Sequence, residues 1–288
     1  MTGSGVRVIL PGGKHSLDLS TSQLVVGDSR KILQELPDGI VQSCVTSPPY
    51  WSLRNYDIEG QIGLEESIDE YLQNLTAVFE EVRRVLRPDG TLWLNIGDSY
   101  TSGGRTWRAP DRKNPIRAMN VRPPTPAGLK PKDLIGIPWR LAFSLQAAGW
   151  YLRADLIWQK PNCQPESVKD RPTRDHEYVF LLSKSERYLY NHKAVRGPNG
   201  RNPRAVWDIK TKALKDAHFA TFPTALVEPC VLLGSNPGDL ILDPFIGSGT
   251  TGVVALALGR RFFGVELNPE YVSIAEKRLN GAVFHGRD

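Results

Sequence analysis

Two stretches of this 288-residue sequence combine residue types that could do chemistry. The first, Thr46-Ser47-Pro48-Pro49-Tyr50-Trp51, ends the apolar run Val41–Thr46. Its two prolines fix the backbone and remove N–H donors, which leaves carbonyl oxygens free to accept. A Ser hydroxyl, a rigid carbonyl and a Tyr ring together suit a planar heterocycle that carries an amino group. Ser47 and the Pro48 carbonyl would take the two amino protons while Tyr50 stacks on the ring face. Accepting both protons draws the nitrogen toward tetrahedral geometry and localises its lone pair. The amine can then attack an electrophilic methyl carbon in line, with positioning and electrostatics carrying the rate. Taken alone, the tetrapeptide reads equally as a proline turn at a strand end.

The second stretch is Leu240-Ile241-Leu242-Asp243-Pro244-Phe245-Ile246-Gly247-Ser248-Gly249-Thr250-Thr251-Gly252, an apolar strand running into a Gly-rich turn and a helix. Glycines there let a ligand approach the backbone. Glu266, 19 residues after Gly247 and at the end of the next apolar run, is placed to accept hydrogen bonds from the two hydroxyls of a ribose. A nucleoside cofactor is implied. The spacing of Gly247, Gly249 and Gly252 also satisfies the dinucleotide fingerprint, so an NAD-dependent oxidoreductase is the first rival. Asp243 weighs against it: a carboxylate beside this turn repels a pyrophosphate but suits the ammonium and sulfonium of S-adenosylmethionine. A plain strand-turn-helix with glycines for packing is the remaining reading.

These turns need elements to hold them. Apolar, β-rich runs bounded by turn residues lie at Gln23–Gly27, Val41–Thr46, Thr91–Ile96, Tyr151–Trp158, Tyr178–Leu182, Leu240–Leu242 and Arg261–Val265. Ile68, Tyr71, Leu72, Leu75, Val78, Phe79, Val82, Val85 and Leu86 recur at helical spacing and form one apolar stripe, which Pro88 and Gly90 terminate. A last helix has Asn268 at its N-cap, Pro269 at its first position and a stop at Gly281. Strands alternating with helices predict an α/β fold with a doubly wound, mostly parallel sheet. In such a sheet ligands sit beyond the carboxyl ends of the strands, so the Ser47 and Asp243 turns are expected to face one crevice. Residues 1–288 read as a single domain with no internal repeat.

The net charge is +5. Eight basic residues against two acidic ones lie between Ser99 and Trp139, and seven against two between Asn191 and Ala217, so those segments hold a surplus of 11 positive charges and leave −6 on the rest. That is the footprint of a localised anion-binding face, unless both segments are merely solvated. Residues 99–138, rich in Pro, Gly, Arg and Lys, are too long for an ordinary connection and read as a functional insertion. The candidate DNA-binding residues are Arg105, Arg108, Arg112, Lys113, Arg117 and Arg122 in the insertion, with Arg201 and Arg204 in the segment 191–217. Trp107 and Trp207 could stack on bases or fill gaps.

Cys44, Cys163 and Cys230 are widely separated and show no disulfide or metal-ligand spacing, so no metal is expected. No run of about 18 apolar residues occurs and the N-terminal residues lack the pattern of a signal peptide, so a soluble cytoplasmic protein without a membrane partner is expected. Pro229-Cys230 has the form of a thiol nucleophile dipeptide, but it lies in the apolar run Ala225–Leu233, expected to be a core helix, with nothing nearby to lower its pKa. His176, between Asp175 and Glu177, is better suited to a structural or loop-orienting role than to general base catalysis.

Across nearly its whole length the sequence resembles the amino-DNA methyltransferases of the β arrangement, in which a Ser-Pro-Pro-Tyr motif precedes the cofactor loop. Leu24-Val25-Val26-Gly27-Asp28-Ser29 is similar to the family's adenine-side segment. Arg87-Pro88-Asp89-Gly90-Thr91-Leu92-Trp93-Leu94-Asn95-Ile96-Gly97-Asp98 is similar to the strand after its catalytic turn. Asp155-Leu156-Ile157-Trp158-Gln159-Lys160-Pro161 and Arg174-Asp175-His176-Glu177-Tyr178 resemble its later pocket-supporting segments. His218-Phe219-Ala220-Thr221-Phe222-Pro223 resembles the segment that meets the methionine end of the cofactor. The segment between Tyr190 and His218, where such enzymes carry target-recognition residues, is short here, so the insertion is expected to share the reading of DNA.

The resemblance implies a circularly permuted, Rossmann-like methyltransferase sheet in which the N-terminal strand lies beside Arg261–Val265. It implies S-adenosyl-L-methionine as cofactor, double-stranded DNA as substrate, a cognate restriction endonuclease as companion, and a bacterial or phage host. Ser47, Pro48, Pro49 and Tyr50 would be catalytic. Asp28, Thr46, His218, Phe219, Thr221, Phe222, Pro223, Asp243, Pro244, Phe245, Gly247, Ser248, Gly249, Thr250, Thr251, Glu266 and Asn268 would hold the cofactor. Because the turn begins with Ser47, where many adenine enzymes carry a carboxylate or amide, cytosine N4 is the expected target and adenine N6 the alternative. A non-catalytic DNA-binding module and methylation of RNA or protein amides are the other readings.

Overall fold

A computed structural model describes residues 6–10, 18–56, 58–102, 124–197, 200–211 and 222–285. Its strands are β1 (Arg7–Ile9), β2 (Gln23–Val26), β3 (Val41–Thr46), β4 (Leu86–Ile96), β5 (Tyr151–Gln159), β6 (His176–Ser183), β7 (Val206–Asp208), β8 (Leu240–Asp243) and β9 (Arg261–Glu266). The helices are α1 (Ser29–Ile32), α2 (Ile68–Val85), α3 (Ile137–Ala147), α4 (Thr224–Gly234), α5 (Thr250–Ala257) and α6 (Pro269–His285). The strands form one sheet in the order β1-β2-β9-β8-β3-β4-β6-β5-β7, and β6 alone runs against the rest.

The central strands β2, β3, β8 and β9 are buried on both faces and alternate between two cores, as a sheet covered by helices requires. Val25, Leu240, Leu242, Phe263 and Val265 face the core shared with α2 and α3. Leu24, Val26, Ile241 and Phe262 face the core shared with α4, α5 and α6. The sheet is therefore doubly wound, as expected. Helix α2 shows why these residues fold this way. Ser67 caps it by accepting from the Glu70 amide at 3.1 Å, Asp69 and Glu70 sit in its first turn, and Arg83 and Arg84 in its last. Its eight buried apolar side chains contribute about 1.5–3 kcal/mol each.

Three boundaries differ from expectation. Strand β4 begins at Leu86, not Thr91, because Leu86 already pairs with Val41 before an irregularity in the ladder. Helix α6 continues through Gly281 to His285. One glycine costs a helix only about 1 kcal/mol, which the continuing turn absorbs. The short strands β1 and β7 carry too few residues for a periodic signal. The permuted connectivity is present: β2 pairs in parallel with β9, Val26 opposite Glu266. Cys230 lies in α4, 1% exposed, and burial pushes its thiol pKa far up, which removes it as a nucleophile.

Residues 103–123 of the insertion lie outside the described residues. Its neck is closed by a bridge between Tyr100 and Leu134 and by the Asp98 carboxylate, which accepts from the amides of Ser99, Gly136 and Ile137. The insertion thus leaves and rejoins the fold at the carboxyl end of β4.

Candidate active site

The carboxyl ends of β2, β3, β4, β8 and β9 meet at a cavity of about 610 Å³, within the range of about 300–1,000 Å³ usual for ligand sites. Ser47, Pro48, Pro49 and Tyr50 form part of its wall, and Pro244, Phe245, Gly247 and Ser248 form another part. The two turns expected to share a crevice do so. Asp28, Phe222, Thr250, Glu266 and Asn268 also line it.

At the cofactor turn, Glu266 is fixed from two sides: its Oε2 accepts from the Gly247 amide at 2.9 Å and its Oε1 from the Asn268 amide at 2.8 Å. Each oxygen keeps a further lone pair for a ligand hydroxyl. Burial pushes the Glu266 pKa up to about 7 despite those amides. Three other amides of the turn are also spent internally, while those of Ser248 and Thr250 have no described acceptor. Phe245 donates to Asp243 Oδ1 at 3.0 Å, Ile246 to the Val265 carbonyl at 3.0 Å, and Gly249 to the Ile246 carbonyl at 2.9 Å. The Glu266 carboxylate beside this turn fits a nucleoside with ribose hydroxyls.

Asp243 lies beneath the cavity wall, 1% exposed. Its Oδ1 accepts from Thr46 Oγ1 at 2.6 Å and its Oδ2 from Thr251 Oγ1 at 2.7 Å. Burial raises its pKa to about 6, opposed by those hydrogen bonds. Asp243 is therefore a fastener: it ties the last residue of β3, just before Ser47, to the first turn of α5. Thr46, Thr251 and Gly249 belong to this supporting layer and do not line the cavity. Gly249 caps α5 with φ +85°, and a side chain there would press on Ala275 of α6 at 3.1 Å. Pro223 is buried at the start of α4. Asp28 caps α1 and is paired with the Arg30 guanidinium at 2.7 Å.

At the Ser47 turn, the Pro49 carbonyl accepts from Tyr71 Oη at 2.7 Å, and no described donor reaches the Pro48 carbonyl. Tyr50 Oη donates to Glu177 Oε2 at 2.7 Å. Burial and the Glu177 carboxylate push the Tyr50 phenol pKa far up while the Ser47 hydroxyl acts against them, so the phenol stays neutral. Glu177 and Lys160 form an ion pair in which each side chain is 17% exposed, and both line the cavity with Asn95 and Trp158. The sequence alone did not single them out as site residues. They meet because β5 and β6 pair antiparallel with Trp158 opposite Glu177, a register that sequence pattern does not give. Tyr56 and Tyr271, packed edge to face at 5.7 Å on the cofactor side, were likewise not anticipated.

His218, Phe219 and Thr221, and Arg105, Arg108, Arg112, Lys113, Arg117 and Arg122, lie outside the described residues, as does Trp107. Arg201 and Arg204 are exposed on the segment leading into β7. Trp207 donates to the Arg204 carbonyl at 2.8 Å and packs on the sheet, which favours a structural role for that ring. His176 faces Asp175 at 3.1 Å and sits edge-on to Tyr178. No helix among the described residues is long and apolar enough to cross a membrane.

The family described as DNA methylase matches residues 41–277. A Type II methyltransferase of Citrobacter freundii, M.Cfr9I, is 60% identical over 92% of this chain and 90% of its own length. A second, M.SmaI of Serratia marcescens, is 58% identical over 91% of this chain and 92% of its own. A Thermus thermophilus protein solved in complex with S-adenosyl-L-methionine superposes with a TM-score of 0.64 at 28% identity, covering 91% of this chain and 95% of that one.

Proposed function

The chain belongs to the DNA methylase family, and on that premise we propose that it methylates the exocyclic N4 of a cytosine flipped out of duplex DNA, with S-adenosylmethionine as cofactor. The observation that carries this reading is the single cavity bounded on one side by the Glu266 turn and on the other by Ser47-Pro48-Pro49-Tyr50. The family match and the Thermus thermophilus neighbour solved with S-adenosyl-L-methionine favour this cofactor over NAD.

S-adenosylmethionine, when bound, supplies an electrophilic methyl carbon on a sulfonium. Glu266 would hold the ribose hydroxyls, with Tyr56, Tyr271 and Phe245 as aromatic walls. Ser47 Oγ and the Pro48 carbonyl accept the two amino protons of the base, which directs the nitrogen lone pair out of the ring plane. Tyr50 keeps the ring in place because its hydroxyl is anchored on Glu177. The proton released from nitrogen after transfer needs no strong base, so a site without a general base is sufficient. Cytosine is favoured over adenine because the turn opens with a neutral hydroxyl in place of a carboxylate or amide. Arg201, Arg204 and the basic insertion would engage the DNA backbone, and a cognate endonuclease is the expected companion of such an activity.

Calorimetric titration tests the cofactor: saturable heat with S-adenosylmethionine and none with NAD is expected, and the reverse overturns the assignment. Ser47→Ala is expected to reduce turnover with little change in cofactor affinity, because its hydrogen bond acts on the amine during transfer. Normal turnover in that variant would reduce Ser47 to a shaper of the turn.

A further inference from the structure

Glu177 sits at the centre of a polar wall that the methyl-transfer chemistry does not require. Its Oε2 accepts from Tyr50 Oη at 2.7 Å and from Asn95 Nδ2 at 3.2 Å, and its Oε1 from Lys160 Nζ. With three donors around it, the carboxylate is well satisfied and is poorly placed to take protons from a base. Lys160 is different. Its ammonium has three N–H groups, of which Glu177 takes one. It is held from a second side, with Nζ 4.2 Å from the centroid of the Trp158 ring, and its own amide donates to the Asp175 carbonyl at 2.7 Å. Trp158 in turn is fixed by its Nε1 donating to the Ile209 carbonyl at 2.8 Å. Lys160 is thus an immobilised cation that faces the cavity with donor capacity to spare.

The wall is linked to the Ser47 turn through Tyr50, the last residue of the Ser-Pro-Pro-Tyr motif, whose hydroxyl donates to Glu177. Gly97, at the end of β4, leaves the room for this: a side chain there would lie 2.8 Å from Tyr50 Cε2 and 3.2 Å from the Glu177 carboxyl carbon. A base whose amine is seated at Ser47 presents its next two edge positions along the same wall. In cytosine these are N3 and the O2 carbonyl, both acceptors. In adenine they are N1, an acceptor, and a C–H. A fixed ammonium two positions from the amine therefore has a partner in cytosine and none in adenine.

We propose that Lys160 donates a hydrogen bond to O2 of the flipped cytosine, that Glu177 is the positioning residue that aims it, and that this contact is what disfavours adenine. The inference rests on the reading that cytosine is the target. Glu177 does not touch the base; it acts by directing Lys160 and Tyr50.

The test compares the duplex the enzyme methylates with the same duplex carrying, at the target position, a 2-aminopyridine C-nucleoside. This analogue keeps the amino group and the ring nitrogen but has C–H where cytosine has C2=O. Wild-type enzyme is expected to lose roughly 10- to 100-fold in kcat/KM on the analogue, the scale of one hydrogen bond to a charged group. Lys160→Met is expected to lose a similar factor on cytosine and to stop distinguishing the two duplexes, with cofactor affinity unchanged. Glu177→Gln is expected to narrow the cytosine-to-analogue ratio, whereas a purely structural role would lower both substrates alike. Wild-type turnover of the analogue equal to that of cytosine overturns the inference without any variant, and so does an undiminished ratio in Lys160→Met. An N6-methyladenine product overturns the base reading and the inference together; N4-methylcytosine without discrimination at O2 overturns the inference alone.

Discussion

The two carboxylates near the Gly-rich turn stand on opposite sides of the cavity wall. Glu266 faces the cavity with lone pairs to spare, while Asp243 has both oxygens committed to Thr46, Thr251 and the Phe245 amide. Their replacements should therefore fail differently. Glu266→Gln is expected to weaken S-adenosylmethionine binding by roughly tenfold or more, with a smaller loss of stability than Asp243→Ala, since it takes the acceptor from only one of the Gly247 and Asn268 amides. Asp243→Ala leaves the buried Thr46 hydroxyl and the half-buried Phe245 amide without their acceptor, while Thr251 keeps the Val45 carbonyl; at about 1–3 kcal/mol for a stranded buried donor, it should show chiefly as lost stability in denaturant unfolding. Equal loss of affinity with intact stability in both would contradict this division. The pH dependence follows from the same groups. Both folded-state pKa values are raised, to about 6 for Asp243 and about 7 for Glu266. The folded protein thus binds protons more tightly than the unfolded chain, and this contribution to stability is present at low pH and lost as pH rises toward about 7. Cofactor affinity should move oppositely, rising through about pH 7 as Glu266 ionises to accept ribose hydroxyls. Titrations across roughly pH 3.5–8.5, which bracket the unperturbed and raised carboxylate ranges, check this, and a flat profile contradicts it. Residue types revealed both carboxylates; only the hydrogen-bond geometry separates a ligand contact from a fastener.

Elements were legible where one face of a periodic segment is buried. The stripe from Ile68 to Val85 with its Ser67 cap is such a case, as are the strands that end at Ser47 and Asp243. Illegible were features set by pairing between distant segments: the reversal of β6, and the register that puts Glu177 opposite Trp158 and near Lys160. The end of β4 shows what such pairing requires. Tyr50 and Glu177 pack over Gly97 so closely that Gly97→Ala should displace both. The expected outcome is a large fall in turnover with unaltered cofactor affinity, read by comparing kcat with the dissociation constant for S-adenosylmethionine. Turnover equal to wild type would mean that Tyr50 need not hold this position.

At the scale of the molecule, the permuted order brings β2 beside β9, so residues from both ends of the chain, Asp28 and Glu266, line one cavity with the central Ser47 turn. That arrangement was legible only through the resemblance to the β-arranged amino-DNA methyltransferases, since strand pairing between distant segments leaves no periodic signal in the sequence. The DNA face was readable only as charge. If it works as proposed, replacing Arg105, Arg108 and Arg112 with Gln should flatten the dependence of log K on log salt by about 0.9 for each phosphate no longer neutralised, without changing cofactor affinity. An unchanged slope would leave those arginines as a solvated surface. In the proposed reaction, methyl from S-adenosylmethionine reaches the amino nitrogen of a cytosine in duplex DNA. Incubating the protein with duplex DNA and methyl-deuterated S-adenosylmethionine, digesting to nucleosides and weighing the products by mass spectrometry tests it most directly. Deuterated N4-methylcytosine, absent with Ser47→Ala, is the expected product; label on adenine N6, on cytosine C5 or on no nucleoside at all would overturn the assignment.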